Sequence, residues 1–341
     1  MTRRLIAVSL GLILSLPAAF ASESGGAVSV NVENFVRAET AAQFARLIGL
    51  SGGINQFFHL REPTPLDRQA VIRMNRDTLY SAAIVDISKG ATLTIPDAGE
   101  RYLSAMVVNE DHYINGVIHE PGEHRLTVEQ FGTHYVNVSV RTLVDSSDPA
   151  DIQKANALQD RLKIEAASAK PYTHPDYDQE SYKVTYEALL VLGRGMRDAR
   201  ATFGRKQDVD PVRHLLGTAW GWGGLPETEA YYLNVEPGLP VGAYELTVKD
   251  VPVDAFWSVS VYNKDGFFQA NEQNAYSVNN LTATPNNDGS FTIHFGGNSE
   301  NVNHLPITEG WNYTVRFYQP RTEVIEGVWE FPAARPVARP D

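Results

Sequence analysis

Met74-Asn75-Arg76-Asp77-Thr78-Leu79-Tyr80-Ser81 crowds an amide, a guanidinium, a carboxylate, a hydroxyl and a phenol together, and then runs directly into Ala82-Ala83-Ile84-Val85. The apolar run predicts a buried strand. Polar groups drawn into an interior must be hydrogen-bonded or they cost stability. The segment is therefore either a structural polar knot or the floor of a site. Alternate side chains on an extended strand point to opposite faces, so Arg76 and Asp77 cannot face each other and each needs its own partner.

Outward from this segment the pattern stays β. Ala91-Thr92-Leu93-Thr94-Ile95 alternates and is followed by turn chemistry at Pro96-Asp97-Ala98-Gly99. Residues 102–108 and 135–140 read as further strands. Residues 40–50 predict a short helix closed by Gly52-Gly53. A helical stretch follows: Asp148-Pro149 and Asp210-Pro211 each set an N-cap acid before a proline at the first helical position. A helix is expected over 181–203, stopped by Gly204. The C-terminal part returns to strands at 243–248, 255–262, 291–295 and 313–318. Asn286-Asn287-Asp288-Gly289 reads as a hairpin turn before the third of these, and Lys264-Asp265-Gly266 as another turn. These elements predict a mainly β chain of two sandwich or jelly-roll-like domains joined by a helical segment. The expected division is an N-terminal domain over 22–147, a helical connector over 148–225 and a C-terminal domain over 226–341.

The first residues carry a targeting pattern. Arg3 and Arg4 precede an apolar run from Leu5 to Leu16, then Pro17 and the small-residue site Ala19-Phe20-Ala21. This predicts a cleaved signal peptide over 1–21 and a periplasmic or secreted bacterial protein with no membrane span in its mature form. Of 341 residues, 29 are basic and 41 acidic, for a net charge of −12. Such an acidic chain disfavours nucleic acid as a partner. The sequence has no cysteine, which excludes disulfides, thiol nucleophiles and zinc–thiolate or iron–sulfur sites.

Asn75-Arg76-Asp77-Thr78-Leu79-Tyr80-Ser81, with Pro96-Asp97 and Arg101-Tyr102, resembles the domain-of-unknown-function family 1254. Phe256-Trp257-Ser258-Val259-Ser260-Val261-Tyr262, Asn303-His304-Leu305-Pro306, Arg316-Phe317-Tyr318 and Gly327-Val328-Trp329 resemble its usual partner, family 1214. The resemblance implies two β-sandwich or jelly-roll-like domains in a bacterial secreted protein that forms a homo-oligomer. His304 departs from the commoner Asn-Trp-Leu-Pro form. No mechanism comes with the families.

Candidate chemistry falls in three places. Arg76, Asp77 and Tyr80 are candidate ligand-binding residues, the guanidinium suited to a carboxylate or to sugar hydroxyls. Asp111 and His112, where a strand ends in a loop, are a candidate catalytic acid–base pair. Trp257 and Tyr262, also candidate ligand-binding residues, belong to a dense aromatic stretch that reads first as core packing with an interdomain or subunit interface, and alternatively as a platform for sugar rings or apolar ligands. His119 and His124 lack ligand spacing, and residues 119–124 read as a charged turn, so neither metal nor cofactor is expected. Gly221-Trp222-Gly223-Gly224 lacks the lysine of a phosphate loop and reads as a close-packed connection. Two functions remain open: a hydrolase-type enzyme acting on a polar small molecule or glycan between the domains, and a non-catalytic binding or envelope-assembly protein.

Overall fold

A computed structural model describes residues 26–337, apart from residues 68, 70, 71 and 197. The segment read as a signal peptide lies outside the described residues. The chain is mainly β. The first half runs α1 (Phe35–Ser51), β1 (Phe58–His59), β2 (Thr78–Asp86), β3 (Ala91–Ile95), β4 (Leu103–Asn109), β5 (Ile114–Ile118), β6 (Gly122–Leu126), α2 (Val128–Phe131) and β7 (Tyr135–Leu143). Then come α3 (Pro149–Gln159), β8 (Lys163–Ala166), α4 (Gln179–Leu192) and α5 (Pro211–Gly221). The second half runs β9 (Ala230–Val235), β10 (Tyr244–Val248), β11 (Trp257–Tyr262), β12 (Ser277–Asn279), β13 (Phe291–Phe295), β14 (His304–Leu305), β15 (Asn312–Tyr318), α6 (Thr322–Ile325) and β16 (Arg335–Pro336).

Two sheets make the N-terminal unit, in the orders β1-β2-β7-β4-β5 and β6-β3-β8. Strand alternation decides which face is buried between them. Ala83 and Val85 of β2, Val136, Val138 and Val140 of β7, and Ala105 and Val107 of β4 pack against Leu93 and Ile95 of β3. Each fully buried aliphatic side chain of valine size or larger contributes about 1.5–3 kcal/mol. Two further sheets make the C-terminal unit, in the orders β12-β11-β15-β9 and β14-β13-β10-β16. Their core takes Trp257, Val259 and Val261 from β11, Tyr313, Val315 and Phe317 from β15, and Leu246, Ile293 and Phe295 from the facing sheet.

The larger N-terminal sheet and the β12-β11-β15-β9 sheet meet through their remaining faces. At one end of this contact Tyr102, Met106, Leu143, Phe256 and Tyr318 form an apolar cluster, with the Phe256 and Tyr318 rings stacked at 4.1 Å. At its rim His119, just after β5, reaches Glu229, just before β9, with Nε2 2.8 Å from the carboxylate.

Both Asp-Pro pairs start helices as expected. Asp148 accepts from the N–H of Ala150 at 2.8 Å, and Asp210 from those of Val212 and Arg213 at 2.9 Å. Other expectations are corrected. α1 begins at Phe35, ahead of residue 40, and α4 stops at Leu192, well before Gly204. β8 lies inside the stretch read as helical, and β6 occupies part of the segment read as a charged turn. Both pair with β3, placing His124 and Ile164 opposite Leu93. β6, Gly122-Glu123-His124-Arg125-Leu126, has no apolar alternation, and β8, Lys163-Ile164-Glu165-Ala166, has too little to stand out from the helical pattern around it. The turn at 286–289 forms, but β12 and β13 belong to different sheets, so it carries the chain between sheets and closes no hairpin.

This packing can be tested at two points. A Cβ built on Gly217 of α5 would lie 2.0 Å from Cγ2 of the buried Thr202. Alanine normally favours a helix over glycine by about 1 kcal/mol, but here overpacking of about 1–3 kcal/mol opposes it. Gly217→Ala should therefore lower stability to urea, and a stabilised variant would refute the close packing. The second point concerns pH. Burial lowers the affinity of His119 for a proton, but the hydrogen bond and charge of Glu229 outweigh it and raise the His119 pKa. A raised histidine pKa contributes stability that is full below the unfolded value and lost as pH rises through the folded value. Between about pH 6 and about pH 8 the wild type should lose more stability than His119→Gln; parallel pH profiles would deny the tie.

Candidate functional site

The faces that meet between the two halves are polar, and the register says why. Tyr80 of β2 and Ser104 of β4 both lie opposite Arg141 of β7, so the three side chains stand in a row on the face turned from the N-terminal core. Across the contact, alternation in β11 turns Ser258, Ser260 and Tyr262 outward from the C-terminal core, and β15 turns out Thr314, Arg316 and Tyr318. Contact between the two halves buries these residues a second time.

Asp77, 2% exposed, reaches across this contact. Its carboxylate accepts from the hydroxyls of Ser258 at 2.5 Å and Ser277 at 2.7 Å. Arg316 is equally buried and donates to Ser260 Oγ at 2.8 Å, which stands 3.2 Å from Ser277 Oγ. Each hydroxyl has one proton. Ser277 spends its own on Asp77, so Ser260 donates to Ser277, and a relay of two serines joins Arg316 to Asp77. Arg316 also donates to the carbonyls of Arg73 and Met74 and to the Tyr262 hydroxyl. Burial alone would ease its deprotonation, but the surrounding phenols and Asp77 hold its pKa raised.

Arg76 takes a separate course, as neighbours on an extended chain must. Its guanidinium lies over the Tyr276 ring at 5.1 Å and donates through Nη1 to the Thr64 carbonyl. Nε is buried without a partner, and Nη2 has none among the described residues. Burial lowers the Arg76 pKa, opposed only by Tyr276. Arg76 and Asp77 line a cleft of about 340 Å³ between the two halves, with Asp145, Ser146 and Ser147 on one side and Tyr276, Ser277, Asn279, Thr284, Asn303 and His304 on the other. The lining is mostly hydroxyl, amide and charged groups. Tyr80 sits deeper. Arg141 lies over its ring at 5.5 Å, and its hydroxyl is 3.2 Å from Asn75 Nδ2.

Asp111 and His112 do not form a pair, and neither reaches this cleft. The Asp111 carboxylate is bound by Arg37 at 2.5 Å on the surface. His112, in a left-handed backbone conformation, is fully buried and stacks on Trp222 and His214. Thr218 Oγ1 donates to the His214 carbonyl, so it can only accept from His112 Nδ1, 2.8 Å away. His112 Nε2 accepts from the Gly223 N–H at 2.9 Å. These partners assign the neutral Nδ1–H tautomer and leave no lone pair for a substrate proton. Burial, with repulsion from His214, holds the His112 pKa well below the usual value. The two residues are therefore not placed as an acid–base pair: one carboxylate meets Arg37 at the surface and one imidazole is closed in by Thr218 and Gly223. Gly223 also accepts from Arg141 Nη2 at 3.0 Å, so the glycine-rich connection is pinned from both sides.

Of the two aromatic readings, packing fits Trp257 and Tyr262, and the ligand platform does not. Trp257 lies in the C-terminal core against Phe291 and Phe331. Tyr262 is buried, donates to the Met74 carbonyl at 2.8 Å and offers no open ring face. A second depression, of about 380 Å³, contains Arg205, Asp208 and Glu227. Its charged groups are already engaged: Asp208 takes Arg205, Glu229, which also lines it, takes His119, and Glu227 accepts from the N–H of Ala201. No group of three or more histidines, aspartates and glutamates among the described residues is arranged for a metal. The sequence reading missed Arg141, Arg316, Ser258, Ser277 and Tyr276. Its signal was the small polar side chains on the alternate face of β11 and β15.

Residues 54–119 match the family described as protein of unknown function (DUF1254), and residues 237–322 match the one described as protein of unknown function (DUF1214). No curated protein matches the chain. Among solved structures, the VPA0106 protein from Vibrio parahaemolyticus is similar at 18% identity with a TM-score of 0.72, over 90% of this chain and 98% of that one. An uncharacterised protein from Burkholderia cenocepacia is similar at 16% identity with a TM-score of 0.50, over 89% and 86%. These likenesses bear on the fold alone. The two matched segments follow one another in the N- to C-terminal order in which the chain resembles families 1254 and 1214.

Proposed function

We propose that the chain is an exported binding protein that takes a polar, hydroxyl-bearing small molecule into the cleft at Arg76. The observation that carries this reading is an incompletely satisfied guanidinium, clamped on Tyr276, in the wall of a cleft otherwise lined by hydroxyl and amide groups. Buried donors are ordinarily matched, and a cleft of 340 Å³ falls in the size range of small-molecule sites, about 300–1,000 Å³. Binding is favoured over hydrolysis because both oxygens of Asp77 already accept from serines, while Asp111 and His112 lie elsewhere.

The test is a thermal-shift screen of sugars, polyols and sugar acids against the wild type and Ser146→Trp, a substitution in the loop bordering the cleft. At least one compound should raise the wild-type melting temperature by a few degrees, as ligand linkage requires. The indole should abolish the rise without lowering the melting temperature of the free protein. No shift with any compound, or shifts indifferent to Ser146→Trp, would contradict the reading.

A further inference from the structure

We propose that the ligand of this cleft carries a carboxylate, bound by Arg76, on a hydroxylated skeleton such as that of a sugar acid. This rests on the reading of the cleft as a binding site and adds the charge of what it binds. Three guanidiniums are buried between the two halves, those of Arg76, Arg141 and Arg316, against the single buried carboxylate of Asp77. The other buried carboxylates are engaged elsewhere, Glu39 with Gln43 and Tyr182, and Asp86 with the N–H groups of Ser88 and Lys170. Asp77 is committed through the serine relay to Arg316. Two positive charges therefore remain unmatched in the interior of a chain whose net charge is −12.

Of those two, only Arg76 lines the cleft. Arg141 is closed in by Tyr80 and the Gly223 carbonyl. A buried cation without an anion is costly, and pairing it recovers much of that cost. A guanidinium edge offers a carboxylate parallel N–H donors. The groups around it set the size of the charge. Asp77 and Asp145 line the same cleft, together with the Tyr276 phenol and with His304, whose Nδ1 lies 2.7 Å from Gln273 Oε1 and whose Nε2 lies 3.1 Å from the Gly296 carbonyl. With Asp77 committed to Arg316, Asp145 is the carboxylate left beside the open guanidinium, and its repulsion disfavours a phosphate, which carries about −1.5 to −2 at neutral pH, more than a monoanion. The Ser, Thr and Asn side chains of the opposite wall suit hydroxyl groups.

Matched probes separate these points. Glucuronate with glucose, galacturonate with galactose, and gluconate with glucitol each differ in one carboxylate, and all can be titrated calorimetrically up to about 10 mM. In at least one pair the acid should bind the wild type about 10–100-fold more tightly than its neutral partner, the difference expected of a charge-assisted hydrogen bond. Arg76→Gln should remove the difference, and Arg76→Lys, which keeps the charge without the fork, should retain part of it. The wild-type ratio decides the matter even if Arg76→Gln does not fold. Equal binding of acid and neutral partners, blocked by Ser146→Trp, would overturn the carboxylate while leaving the binding site in place. Tighter binding of glucose 6-phosphate than of every acid would overturn it in favour of a dianion. Binding by neither member of any pair would overturn both the carboxylate and the binding reading.

Discussion

The Asp77 carboxylate, held between Ser258 and Ser277, is the contact on which the arrangement of the two halves depends. It leaves the N-terminal unit just before β2 and ends on hydroxyls of β11 and β12. Through Ser260 it also reaches Arg316 on β15, which in turn grips the carbonyls of Arg73 and Met74. The loop is closed: the segment that supplies the anion is held by the cation the anion stabilises. Breaking one member of a buried charged network costs about 3–5 kcal/mol, because the partner is left charged and unpaired. That magnitude is a large share of the roughly 5–15 kcal/mol typical of whole-domain stability.

The same network explains why a cleft exists beside it. With both oxygens of Asp77 drawn toward β11 and β12, Arg76 is left to Tyr276 and the Thr64 carbonyl, which satisfy only part of its donor set. The polar knot and the pocket floor are therefore one segment read from two sides. Asp77 serves the fold, and its neighbour Arg76 lines the open space. Tyr80, on the strand that follows, serves the interior with Arg141.

Much of the fold was legible in alternation. The β3 and β13 segments match their expected spans, and β11 and β15 differ by a residue or two. Asp148 and Asp210 declared two helix starts. The short strands β6 and β8 were not legible, because they carry one and two apolar side chains and are held by long-range pairing with β3. The site was half legible. Arg76 and Asp77 stand out by composition, but their partners Ser258, Ser277 and Tyr276 lie about two hundred residues away in sequence. His112 misled for the same reason. Its two ring nitrogens are satisfied by Thr218 and Gly223, 106 and 111 residues further on, which no local motif announces. An aspartate beside a histidine at a strand end reads as chemistry until the fold shows that one faces Arg37 and the other a wall of aromatic rings.

Hydrogen exchange read separately on β2 and β11 tests the coupling of the two halves most directly. In the wild type both strands should exchange slowly and by the same opening event, since each buries the other through Asp77. In Asp77→Ala, loss of even about 1.4 kcal/mol of that coupling should speed exchange in both strands at least tenfold. Faster exchange confined to β2, with β11 as protected as before, would contradict the central role of Asp77.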